Sequence, residues 1–204
     1  MPPCRCCARD DAGQPCRGAA VTGSYVYRPP AVALSVEPKP PAAARTSLSR
    51  IMTLHDTNLH GNVHGGVVLH LVDELGGAVA ARHSGGRAVT ASMDEFQFLV
   101  PVNVGDLVMA TSQVNWAGRT SMEVGVRVVA ERWDDATALP RHVASAYIVY
   151  VALDEQAQPR PVPPVLPQTA EEQRRFGEAQ IRRRARLRRR EEILQLRCER
   201  DASG

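Results

Sequence analysis

The sequence predicts an α+β domain in which an antiparallel sheet wraps around a single helix, and three features carry that prediction. Over residues 67–81 the apolar side chains Val68, Leu71, Val72, Leu75 and Val79 recur mainly at three- and four-residue steps, the spacing of one helix face. Four strand-like runs joined by short turns follow that helix, as expected for antiparallel strands. One short strand-like run, residues 48–54, precedes it.

The elements can be justified in order. Residues 1–44 hold eight of the fifteen prolines and no sustained period of 2 or 3.6, so they are expected to be a disordered extension. The folded domain is placed at 45–157. Its helix carries Arg82 and His83 near the C-terminal end and is stopped by Ser84, Gly85 and Gly86. The first strand run after it, 88–99, ends at Pro101 and the turn 103–106; the second is 107–116. The third, 120–132, is the clearest, with Met122, Val124, Val126, Val128 and Ala130 alternating with Glu123, Gly125, Arg127, Val129 and Glu131. The fourth is 142–153, and the four together are expected to form a meander. A proline-rich exit at 159–167 closes the domain. Thr169 and Glu172 then form a capping box for a helix over 170–199.

Composition narrows the functional classes. The formal net charge is +3, but residues 169–204 hold eleven Arg against seven acidic residues, which leaves the body of the chain close to neutral. That body is not a nucleic-acid surface, and no nucleic-acid partner is expected. The run of seven arginines at 182–190 reads as a solvated helix face; it could also meet nucleic acid, anionic lipid or the adenosine phosphates of a ligand, and the sequence does not rank these. No apolar run approaches the ~20 residues a membrane helix needs, so a cytoplasmic protein without a membrane span is expected. Cys4, Cys6 and Cys7 are too close together for the usual C-x2–4-C zinc unit, and no histidine precedes His55.

The chemistry concentrates in the segment 56–66, a polar, glycine-rich loop set directly against the helix. Glycines at a helix start expose backbone N–H groups, and the helix dipole favours negative charge there, which suits an oxyanion site. Asp73, further along the helix, is the candidate base. It lies seven residues beyond Gly66, roughly 10 Å along the axis at 1.5 Å per residue, too far to serve the oxyanion site of its own helix. A two-fold dimer that brings one helix start near the neighbour's Asp73 would solve this. Leu71, Val72 and Leu75 around Asp73 lead us to expect partial burial. His60 and His64 are four apart, but in a loop with no Glu between them; neither they nor His70 is assigned a metal, and His64 is expected to shape the pocket entrance.

The stretch HDTNLHGNVHGGVVLHLVDELGGAVAARH, then VTASMDEFQFLVPVNVGD, GRTSMEV and the exit VPPVLPQTAEE, resembles the hotdog-fold acyl-CoA thioesterases. The likeness is to the cytosolic long-chain acyl-CoA hydrolases and their bacterial relatives, and it covers roughly residues 48–178. It implies a five-stranded sheet around a central helix, hydrolysis of acyl-CoA without a cofactor, homodimers with active sites at the subunit interface, and often trimers of dimers. The family's loop asparagine falls on Asn58, as an orienting group. Its oxyanion glycine falls on Gly66 and its helix carboxylate on Asp73. Animal relatives fuse two copies and divide these residues between them; here both motifs stand in one chain, so a dimer would carry two complete sites. Phosphates call for Arg and backbone amides, which makes Arg87, Arg119, Thr120 and Ser121 the candidates for the coenzyme A moiety. The alternatives are a hotdog enoyl-CoA hydratase and a non-catalytic acyl-CoA sensor. Against the hydratase, Asp56 and His60 are only four apart and Leu59 stands where that family has proline. Acyl-chain length is not encoded legibly.

Overall fold

In a computed structural model of the protein, residues 37–135, 137 and 139–203 are described. Most of the expected disordered extension, with Cys4, Cys6, Cys7 and Cys16, lies outside them. The elements are β1 (Thr46–Ile51), α1 (Gly65–Ser84), β2 (Ala88–Phe98), β3 (Asp106–Ala117), β4 (Ser121–Arg132), β5 (Arg141–Ala152) and α2 (Ala170–Ser203). Helix α1 is longer than expected at both ends. His64 caps its start by accepting the Gly66 N–H, and Gly85 ends it in the left-handed region at φ 74°.

The sheet order is β1-β3-β4-β5-β2, antiparallel throughout. This corrects the expected four-strand meander. Only β3, β4 and β5 follow one another as neighbours; β2 lies at the far edge, with Thr90 opposite Tyr150 and Phe98 opposite Ala144 on β5. Residues 99–105 therefore cross from one edge of the sheet toward the other. The crossing is held by bonds to the segment before α1, from Val63 N–H to Val102 O (2.9 Å) and from Gly105 N–H to Met52 O (2.8 Å). Turn residues mark where a strand stops but not which edge the chain joins next, so this step was hidden in the sequence.

The sheet packs its concave face on α1. Val68, Val72, Leu75 and Val79 bury against Val108, Val114, Val124 and Ile148, each such side chain contributing on the order of 1.5–3 kcal/mol of transfer free energy. Residues 37–44, assigned by composition to the disordered extension, are tied into this unit. Lys39 exchanges backbone bonds with Pro164 O and Leu166 N–H (both 2.9 Å), and its Nζ reaches His83 O (3.1 Å). The proline-rich exit packs back as well: Val162 and Val165 join the core, and Pro163 O meets the Nε2 of buried His83 at 2.9 Å. Burial holds the His83 imidazole below its ordinary pKa, which keeps it neutral in this seat.

The capping box at the start of α2 forms as predicted, with Glu172 N–H on Thr169 Oγ1 (3.2 Å) and Thr169 N–H on Glu172 Oε2 (3.3 Å). Arg45 joins Glu172 (3.3 Å) to Gln113 on β3 (2.9 Å), and Phe176 packs against the core. Residues 180–203 of α2 fall in a second unit, where Arg188 pairs with Glu192 one turn on, at 2.8 Å. Among the described residues, no helix is long and apolar enough to cross a membrane.

Candidate active site

The loop before α1 is braced by Asp56, which is buried and pairs with Arg50 at 2.6 Å. Thr53 donates to the same carboxylate from its backbone (2.8 Å) and hydroxyl (2.9 Å), and these bonds hold Asp56 below the usual carboxylate range. Asn58 sits at the centre of the next turn. Its Oδ1 accepts the N–H groups of His60 (2.8 Å) and Asn62 (3.3 Å), and its backbone N–H donates to Asn62 O (2.7 Å). The asparagine therefore does build the loop, as a turn-former would, and its side-chain NH2 makes no hydrogen bond among the described residues.

Gly66, the expected oxyanion donor, gives its N–H to His64 Nδ1 at 2.9 Å, so the histidine ring occupies the place an oxyanion would take. The neighbouring Gly65 N–H makes no hydrogen bond among the described residues, and Gly65 lines a cleft of about 380 Å³. Asn58, Val68, Phe98 and Val102 also line that cleft. A Cβ at Gly65 would press to 3.2 Å from the Phe98 ring, so glycine is what lets β2's end close over the helix start. A polar donor pair beside an apolar wall can orient a carbonyl whose substituent is apolar.

Asp73 forms a separate cluster. Its side chain is exposed in the single chain, which corrects the expected partial burial: it and Glu74 occupy the outward turn between buried Val72 and Leu75. The carboxylate is nonetheless held. Thr90 Oγ1 on β2 donates to Oδ1 at 2.7 Å, and the Tyr150 hydroxyl on β5 reaches Oδ1 (3.2 Å) and the Asp73 carbonyl (3.0 Å). Burial, and then the Asp73 charge, push the Tyr150 phenol well above its ordinary pKa, so it remains an O–H donor. Glycine at position 76 admits that hydroxyl, because a Cβ there would collide with it.

The four residues expected to bind coenzyme A gather at one end of the sheet. Arg87 O accepts from Leu153 N–H (2.9 Å), Thr120 O from Ala152 N–H (3.0 Å), and Gly118 N–H bonds Ser121 O (2.7 Å) across the hairpin that carries Arg119. Thr90 and Tyr150 lie two to three residues along the same strands, so this end of the sheet is the Asp73 side of the molecule. Among the described residues no hydrogen bond joins Asn58, Gly65 and Gly66 to Asp73, Thr90 and Tyr150, and the cleft at the helix start is not lined by the latter three. The histidines also separate: His70 pairs with Glu74 at 3.3 Å, and among the described residues no three His, Cys, Asp or Glu could hold a metal.

Comparison with known proteins places this architecture. Residues 60–134 match the thioesterase superfamily model. An acyl-CoA thioester hydrolase of Bacillus subtilis is 41% identical over 124 residues, 61% of this chain and 70% of that one. The chain belongs to the acyl-CoA thioester hydrolase family. The mouse cytosolic acyl coenzyme A thioester hydrolase is 36% identical over 149 residues, 73% of this chain; the match spans only 39% of that longer relative. Among solved structures of the family, an apo-hexameric acyl-CoA thioesterase aligns with TM-score 0.72 at 36% identity, covering 76% of this chain and 97% of that one. The Staphylococcus aureus acyl-CoA hydrolase, solved with butyryl coenzyme A and coenzyme A, aligns at TM-score 0.71 and 33% identity, covering 78% and 95%. That hydrolase has also been characterised with an asparagine, an aspartate and a threonine each replaced by alanine. The expected hotdog architecture, a five-stranded antiparallel sheet around one helix, is thus the fold of this chain.

Sequence reasoning missed Thr90 and Tyr150. Thr90 offered no signal, being one of many strand threonines. Tyr150 did: a single hydroxyl in the otherwise apolar run from Ile148 to Ala152 must find a partner when buried. It also missed that His64 caps α1, although a polar residue just before Gly65 is where an N-cap belongs.

Proposed function

We propose that this protein is an acyl-CoA thioesterase, hydrolysing acyl-CoA to a free carboxylic acid and coenzyme A, with sites shared between subunits of a homodimer or a trimer of dimers. The observation that carries the reading is the hydrogen-bonded set around Asp73, taken with its spacing. In the S. aureus hydrolase the altered aspartate lies fifteen positions after the altered asparagine, and the altered threonine seventeen beyond that. Asn58, Asp73 and Thr90 stand at the same spacings, and Thr90 touches Asp73.

In this reading the thioester carbonyl lies at the start of α1 and the acyl group enters the apolar cleft. Gly66, once the His64 ring turns aside, donates to the developing oxyanion together with the unpaired Gly65 amide. One such donor is worth about 3–4 kcal/mol of transition-state stabilisation. The Asn58 amide orients the water or the thioester oxygen. Asp73 of the facing subunit acts as general base or as nucleophile. As base it takes a proton from water while the water oxygen bonds to the carbonyl carbon. The C–S bond then breaks, and the proton passes to the departing sulfur. The open edge of β2, with exposed Val89, Met93 and Phe98, supports the partner surface this requires. Arg87, Arg119, Thr120 and Ser121, on the Asp73 side, are proposed to take the coenzyme A phosphates.

Thiol release from a panel of short- to long-chain acyl-CoAs tests the reading. Asp73→Asn should keep the fold and lose at least about a thousandfold in kcat, as expected when a reacting group is removed. An Asp73→Asn variant that turns over like the wild type contradicts the assignment, and no thiol release by the folded wild type contradicts the activity itself.

A further inference from the structure

We infer that Tyr150 is a positioning residue that fixes which oxygen of Asp73 reacts, a role that rests on Asp73 being the base or nucleophile proposed above. Two hydroxyl donors converge on one carboxylate oxygen: Thr90 Oγ1 at 2.7 Å and the Tyr150 hydroxyl at 3.2 Å both point to Oδ1. Oδ2 receives neither. One carboxylate oxygen is thereby engaged, and Asp73 lies on the exposed side of α1, where a water or a thioester carbon can reach its carboxylate. The single Tyr150 proton is shared between Oδ1 and the Asp73 backbone carbonyl at 3.0 Å, which ties the phenol to the helix backbone as well as to the carboxylate.

The rest of the fold is arranged around that contact. The Tyr150 side chain is 1% exposed, set between β4 and β2 with Met122 and Thr90 opposite it, so its ring has little freedom to leave. Gly76, one helical turn beyond Asp73, leaves the room its hydroxyl occupies. Burial keeps the phenol protonated far above neutral pH, so the donor does not switch off in the working range. The titratable neighbours of Asp73 on its own helix are His70 and Glu74, which pair with each other at 3.3 Å. From the sheet, among the described residues, β2 supplies the non-titrating Thr90 and β5 supplies Tyr150.

Tyr150→Phe removes one oxygen and leaves the ring. A donor to the carboxylate holds it in the reactive geometry, so losing it should cut kcat about tenfold with KM within about twofold. A merely structural tyrosine would lower the melting temperature and leave the kcat of the folded protein in place. Asp73→Asn is run beside it. If Asp73→Asn is inactive and Tyr150→Phe keeps the wild-type kcat, the inference falls and the thioesterase reading stands. If Asp73→Asn is active, both fall. If Tyr150→Phe does not fold, 3-fluorotyrosine at position 150, a stronger donor of the same shape, replaces it. A kcat changed by at least about threefold with KM within about twofold then supports the inference, and an unmoved kcat overturns it.

Discussion

The loop before α1 and the carboxylate in the middle of that helix differ in where their hydrogen-bond partners come from. Around Asn58 and Gly66 the partners are neighbours in the chain: His60, Asn62 and His64 lie two to four residues away. Around Asp73 they come from β2 and β5, seventeen and seventy-seven residues along. The first cluster could form as soon as the loop does, while the second exists only when the sheet has wrapped the helix. A locally satisfied site can yield its donors to a ligand at small cost, as the His64 ring must. A tertiary one holds its carboxylate in place. For a reaction that needs an adaptable oxyanion site and a fixed base, that division of labour fits.

The difference can be sharpened by substitutions that strike each cluster without touching a reacting group. Gly76→Ala should be the more damaging, because the new methyl meets a buried hydroxyl; overpacking of this kind costs about 1–3 kcal/mol in urea unfolding. A Gly76→Ala protein as stable as the wild type would mean that Tyr150 can retreat freely and that the tertiary cluster is loose. His64→Ala should cost less, about 1 kcal/mol, the usual value of a helix N-cap, and His64→Asn should restore it. Equal loss in the alanine and asparagine variants would show that the histidine holds more than the helix end.

The same contrast explains what was legible in the sequence. Features set by local periodicity and local chemistry could be read: α1, five strands to within a few residues, and the Thr169–Glu172 capping box. The loop's polar donors could be read for the same reason. Pairings across the chain could not. The expected meander failed at β2, because alternation identifies a strand without naming its neighbour. Asp73 was expected to be partly buried from its apolar neighbours, but three consecutive helix positions span most of the circumference, so Val72 can be buried while Asp73 is not. Residues 37–44 look disordered by composition and are ordered by contact with 163–166, a pairing no local window contains. The Cys-containing segment before them lies outside the described residues.

The central claim is that the two clusters meet only across subunits. Asn58→Ala and Asp73→Asn should each be nearly inactive alone. A hybrid dimer of the two carries one site with both changes and one with neither. Mixing the variants with separate affinity tags, dissociating and reassociating them, and purifying through both tags isolates that hybrid. Random two-fold pairing in the unpurified mixture should restore about a quarter of wild-type thiol release. Hybrids that form, as both tags report, but release no more thiol than the separate variants would place both clusters of each site in one chain and contradict the account.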